Sequence, residues 1–420
     1  MVDIVEFNAW LQKGLGRAVA YLRSHDPKPY RQAVLYACTH ETEDFSTLGW
    51  SEDYYLDLMH SVGDQQFFRA GLFDALTAEP KDPEQFDLGT TVQLARPFAQ
   101  EGDSEIKKAM YDAVARAGFA REGHCCDDLI KLDGIDALHF AADLFPCDID
   151  DNDLWQVGSL VFALQERDGA EPANEAIQRA SRESPRLARM LETARASDLK
   201  REGRLFKPST RLDYPALKQL IGEPGVKSYL FFWSRAASIE ELEAVANDLT
   251  TETDEGRILA YLSIFRERQC PLPANRLLEL AEHSDIRIAR RAVDLLSRLK
   301  DPAIRSLALS FLDVSDRAGD AADLLASNYQ TGDFQLIEAR LREPMDAEDL
   351  HHFGMGIKHL LETYCPKEAE QSLLLLYENG PCSLCRHKFV ERLIELQRLP
   401  DRIRSECHFD AYTETRKLVQ

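Results

Sequence analysis

The chain of 420 residues is 44% hydrophobic, enough for a substantial core, and its 72 acidic against 50 basic side chains give a formal charge of −22. That charge disfavours nonspecific attraction to nucleic acid or anionic membranes, and no apolar run reaches the roughly 18 residues of a membrane-crossing helix. The acidity is concentrated: residues 1–153 hold 13 Lys and Arg against 29 Asp and Glu, or −16, which leaves −6 for residues 154–420.

Residues 3–24 read as one helix, with Phe7, Trp10, Leu11, Leu15, Val19 and Leu22 recurring at three- and four-residue steps. Gly14 and Gly16 lie inside that pattern with no strand before them, so no phosphate-binding loop is implied. Asp3 and Glu6 stand where a secretory signal would be positive, and nine irregularly placed cysteines suggest reduced thiols rather than a disulfide framework. A cytoplasmic protein is expected. Asp26-Pro27 opens a second helix, since proline loses no hydrogen bond in a first turn.

Residues 51–60 and 64–76 predict a helical hairpin, residues 88–100 and 105–117 another, and residues 129–144 an amphipathic segment weakened by Gly134. The acidic run Asp148-Ile149-Asp150-Asp151-Asn152-Asp153 lacks the Gly and Glu that an EF-hand loop requires, and reads as a solvated loop whose Asp153 caps a helix over 154–166. Ser184-Pro185 starts a helix that runs to about residue 199. Residues 200–225, with three prolines and three glycines, form an irregular basic connection. Tyr229-Leu230-Phe231-Phe232-Trp233 is too short to span a membrane and reads as a buried helix in preference to a strand. Further helices are predicted at 239–249, 255–267, 274–283, 285–299, 302–312 and 316–329.

One pattern recurs: an Asp followed by apolar residues at the third, seventh and eleventh positions beyond it, as Asp103-Ile106-Met110-Val114, Asp285-Ile288-Ala292-Leu296 and Asp301-Ile304-Ala308-Leu312. Asp accepts first-turn amides, and these offsets fall on one helical face. A helix with one apolar stripe cannot bury it alone, so recurrence implies stacking.

The stretch Asp301-Pro302-Ala303-Ile304-Arg305-Ser306-Leu307-Ala308 resembles the start of the second helix in HEAT repeats, clearly over residues 274–312 and loosely over 26–37 and 103–117. The resemblance implies an all-α fold, an α-solenoid of stacked antiparallel helix pairs with one irregular central insertion. Asp285 and Asp301 are 16 residues apart, however, so they mark successive helices and not one repeat of about 40 residues. The expected organisation is an acidic N-terminal helical array over 1–199, the connection at 200–225, and a C-terminal HEAT-like array over 226–420.

Three departures from the repeated unit are candidates for function. In Cys382-Ser383-Leu384-Cys385-Arg386-His387, the cysteine pair suits a zinc ion completed by Cys407 with His408 or His387, or a redox thiol activated at a helix start. Simple packing of the last helical pair is the plainest alternative. From 179 to 211 there are ten Lys or Arg against four Asp or Glu, and Arg182, Arg186 and Arg189 are spaced to share a helical face that could meet phosphates. The acidic stretch 127–153, with Asp148, Asp150 and Asp151, would steer a basic protein partner. His351, His352 and His359 share one predicted helix without metal-site spacing, and they read as ordinary amphipathic residues, as does His124-Cys125-Cys126.

The reading favoured is a noncatalytic interaction scaffold with no required cofactor. Nucleic-acid binding through the basic stretch, and zinc or redox chemistry at Cys382 and Cys385, are the alternatives.

Overall fold

The computed structural model describes residues 2–40, 52–79, 86–119, 125–146, 154–204, 211–223, 226–364 and 366–420. The chain is all-helical; among the described residues the only β pairing is an isolated antiparallel bridge between His40 and Phe86. It divides into two compact units, Met1–Glu202 with Asp401–Gln420, and Gly203–Pro400. The division falls at the irregular connection, whereas the last twenty residues, read from sequence as the end of the second array, pack in the first unit.

In the first unit, the segment 3–24 forms two helices, Ile4–Gln12 and Arg17–Ser24, where the apolar spacing predicts one. The break is made by Gly14, at φ +61°, and by the crowding around Gly16, where a Cβ would stand 2.0 Å from the Glu406 carbonyl oxygen. Ala411 donates its N–H to the Gly14 carbonyl at 3.0 Å, and Arg17 pairs with Glu406 at 3.0 Å. The two glycines therefore make room for a chain segment nearly 400 residues away. Gly134, at φ +63°, likewise divides 129–144 into Cys126–Asp133 and Ile135–Leu144.

Asp103 caps Ser104–Ala117 by accepting the N–H groups of Glu105 and Ile106, and Ile106, Met110 and Val114 are fully buried. The Arg69 guanidinium grips the same carboxylate at 2.8 and 3.0 Å. Its hydrogen bonds, with those of the backbone amides, pull the Asp103 carboxyl down to about 2.

In the second unit, residues 229–233 lie within the helix Val226–Ala236. That helix begins a row in which each member packs on the next: Val226–Ala236, Glu255–Ile264, Ile286–Leu296, Ala318–Leu325, Ala347–Thr363 and Ser383–Glu395. Their starts are 29, 31, 32, 29 and 36 residues apart. Tyr214–Leu220 precedes the row, and between its members lie the helices Ile239–Thr251, Ala274–Ala281, Pro302–Leu312, Asp333–Leu341 and Glu370–Asn379. The two Asp-led motifs 16 residues apart thus belong to different sets: Asp285 caps a helix of the row, and Asp301 caps an intervening helix. Ile288 and Ile304 are both fully buried, each worth about 1.5–3 kcal/mol of transfer free energy.

Two features hold the row together. A Cβ on Gly356 would sit 2.4 Å from the Gly319 carbonyl oxygen, so these glycines let Ala318–Leu325 and Ala347–Thr363 approach closely. The second is a repeated tie between helix ends. Arg268 donates to the carbonyls of Ser234 and Arg235 at 2.8 and 3.0 Å, Arg298 to those of Phe265 and Arg266 at 3.2 and 2.6 Å, and Asn328 to that of Leu299 at 2.9 Å. Each reaches from just beyond one row helix to the carboxyl end of the one before. Terminal carbonyls have no partner within their own helix, so these donors satisfy groups that the helix leaves open. Arg116 does the same in the first unit, donating to the carbonyls of Leu76 and Thr77 at the end of Gln65–Thr77.

Candidate functional site

Because row helices stack in the same direction in sequence, their carboxyl ends line one open groove of about 690 Å³ in the second unit. Its walls carry Arg266, Arg291, Arg298 and Lys300, with Asp294, Asp323, Glu267 and His359. Most of this charge is already engaged. Arg291 pairs with Asp294 at 3.2 Å, His359 Nδ1 meets Asp323 at 3.0 Å, and Arg235 pairs with Glu267 at 2.8 Å. The Asp323 hydrogen bond raises the His359 pKa above its ordinary value, with burial opposing. Arg298 is engaged with the carbonyls of Phe265 and Arg266. The side chains of Arg266 and Lys300 make no hydrogen bond or ion pair among the described residues, and both are exposed. The groove is locally positive on a strongly acidic chain.

A second constellation lies at the amino ends of the last two row helices. Cys382 occupies the N-cap position of the 13-residue helix Ser383–Glu395, which places Cys385 in its first turn. His351 stands in the first turns of Ala347–Thr363, a helix started by Asp346, which accepts the Asp349 N–H at 2.8 Å. One donor atom from each of His351, Cys382 and Cys385 lies within 4.8 Å of the others. The Cys385 thiol and the His351 ring both interact with Cys382, which moves its thiol well below the usual range against the opposing effect of burial. The Cys385 thiol is pushed up because its proton is held by Cys382 and because it is partly desolvated. The His351 imidazole is raised by the same contact with Cys382.

His351 is the residue that spacing along the chain did not single out. It lies 31 residues before Cys382, about one period of the row, so the signal was the row periodicity and not a local motif. Cys407 and His408 are placed otherwise: Cys407 is buried at the end of Asp401–Cys407 and His408 is exposed beside it, both in the first unit, and neither belongs to the close group of donors. His352 and His359 share the face turned to Ala318–Leu325, where His352 lies 3.6 Å from Asp320.

The three arginines expected on one helical face are divided between two helices. Arg182 ends Ala170–Glu183, Arg186 and Arg189 begin Pro185–Arg204, and Ser184 between them is extended. Arg186 pairs with Asp143 at 2.9 Å and Arg189 donates to the Pro146 carbonyl at 3.2 Å. Asp148, Asp150 and Asp151 lie outside the described residues, as does His124. No helix among the described residues is long and apolar enough to cross a membrane. No known protein family, curated protein or solved structure matches the chain, so its own residues carry the functional reading.

Proposed function

We propose that residues 203–400 form an α-solenoid scaffold, HEAT-like in its stacked antiparallel helix pairs, that binds an acidic segment of a protein partner along the groove at the helix carboxyl ends. The regular packing of alternate helices supports the solenoid. The observation that carries the binding role is the pair of unengaged cations, Arg266 and Lys300, beside Arg298 in an open cleft large enough for a peptide segment. A net-acidic protein concentrates few cations in one place without use, and complementarity at such a patch sets partner choice and encounter rate. This partner has the opposite sign to the one expected at the acidic stretch 127–153, which would serve a basic partner as a separate surface.

The test is fluorescence anisotropy of a labelled oligoglutamate peptide with the full chain at low salt. The double variant Arg266→Glu, Lys300→Glu should weaken binding on the order of tenfold, about 1.4 kcal/mol, and added salt should weaken binding to the native chain. Binding unchanged by the double reversal removes the groove as the site. Stronger binding of duplex DNA than of the peptide, lost on reversing Arg182 and Arg186, would favour the nucleic-acid reading instead.

A further inference from the structure

We propose that His351, Cys382 and Cys385 bind one zinc ion, with its fourth position open to water or to an incoming ligand. Two observations carry the site. The donors converge from two different row helices and all lie within 4.8 Å of one another, near enough for a tetrahedral ion to draw them together by small side-chain shifts. Their chemistry is two sulfurs and an imidazole with no carboxylate in the group, a set that suits zinc over magnesium, calcium or manganese. The first cysteine sits before the helix and the second in its first turn, so the spacing of two residues lets both sulfurs face one point.

The same residues could instead form a dithiol for disulfide exchange, and the burial pattern argues against it. Exchange requires the nucleophilic thiolate to reach an external disulfide. Here Cys382, the sulfur on which the hydrogen bonds converge, is only 6% exposed, whereas its neighbour Cys385 is the more accessible of the two. An attacking sulfur is hidden behind the one that should resolve it. Metal binding has no such requirement. Each thiol that coordinates gives its proton to solvent, and His351 binds through a neutral ring nitrogen. His351 and Cys385 are half-buried, which leaves one side of the group facing outward. Three protein ligands with one open position is the arrangement of zinc sites that bind or activate a further ligand, unlike the closed four-ligand structural sites.

This site is independent of the groove proposal. The full chain, reduced and reconstituted with zinc, then stripped of excess metal, should retain about one zinc per chain by elemental analysis. Cobalt in its place should give a thiolate-to-metal charge-transfer band and tetrahedral ligand-field absorption. Cys385→Ser should at least halve that band, since only the Cys382 thiolate remains, and His351→Ala should weaken zinc binding by more than the ~10–100-fold typical of losing an outer-shell partner. Cys270→Ser, a buried thiol elsewhere in the same unit, should retain the metal. Circular dichroism on each variant separates loss of metal from loss of fold, and His351→Gln gives a second, milder variant where His351→Ala unfolds. Zinc content below a tenth of a mole per mole of well-folded native chain on the ~1:1 scale expected, or retention unchanged in both site variants, overturns the proposal. So does a cobalt spectrum without the thiolate band.

Discussion

The two ends of the helix row in the second unit differ in what the backbone offers. At the amino ends, first-turn N–H groups have no helical partner and favour negative charge, and there the chain places sulfur: Cys382 at an N-cap, with Cys385 and His351 around it. At the carboxyl ends the open groups are carbonyls, and there it places guanidinium and amide donors: Arg268, Arg298 and Asn328. The contrast separates two kinds of cation in the groove. Arg298 completes the helix ends, while the side chains of Arg266 and Lys300 have no hydrogen-bond or ion-pair partner among the described residues.

That distinction is open to a direct break. Arg298→Ala removes donors from the Phe265 and Arg266 carbonyls and should destabilise the protein by about 1–3 kcal/mol in denaturant unfolding. Arg266→Ala should change stability by no more than about 0.5 kcal/mol and act only on partner binding. Equal stability losses from the two substitutions would erase the distinction between structural and binding cations.

The helix starts sharpen the comparison in a gentler way, because their caps were the most legible part of the sequence. Asp103, Asp285 and Asp301 each accept the amides their spacing implied, and the apolar residues after them are core. Replacing Asp301 by Ala should cost about 1 kcal/mol. Local rules sufficed there because cap and amide are two or three residues apart. They failed where the partner is distant or is backbone. The interruption at Gly14 and Gly16 answers to Glu406 and Ala411, the role of Arg298 depends on carbonyls that carry no side-chain signature, and His351 meets Cys382 only because successive row helices lie side by side. In the basic run 179–211 the spacing suggested one face, whereas Ser184 leaves Arg182 in one helix and Arg186 and Arg189 in the next.

Acid should expose the caps selectively. The Asp103 carboxyl is held at about 2 by Arg69 and by the amides of Ile106 and Glu105, below its unfolded value of roughly 4. A depressed folded pKa contributes stability that is complete above the unfolded value and is lost as pH falls through the folded one. Stability measured from pH 5 down to about 2 should therefore fall less steeply in Asp103→Asn than in the native chain. Identical slopes would mean that Arg69 and the amides hold this carboxylate no more tightly in the fold than water does outside it.

The smallest expected effect lies in the groove itself. His359 is raised by Asp323, so the stability it contributes is complete below its unfolded pKa and is lost as pH rises through the higher folded value. In its charged form it also adds a positive group to the wall shared with Arg266 and Lys300. Oligoglutamate should accordingly bind slightly more tightly as pH falls from about 8 to about 6, the range in which a histidine gains its proton. His359→Gln should flatten that dependence while leaving binding at the higher pH nearly unchanged. Tightening that survives the substitution would assign it to another group of the chain, since protonating the peptide carboxylates could only weaken binding, and would leave Asp323 and His359 as a closed pair that serves the packing of Ala347–Thr363 on Ala318–Leu325.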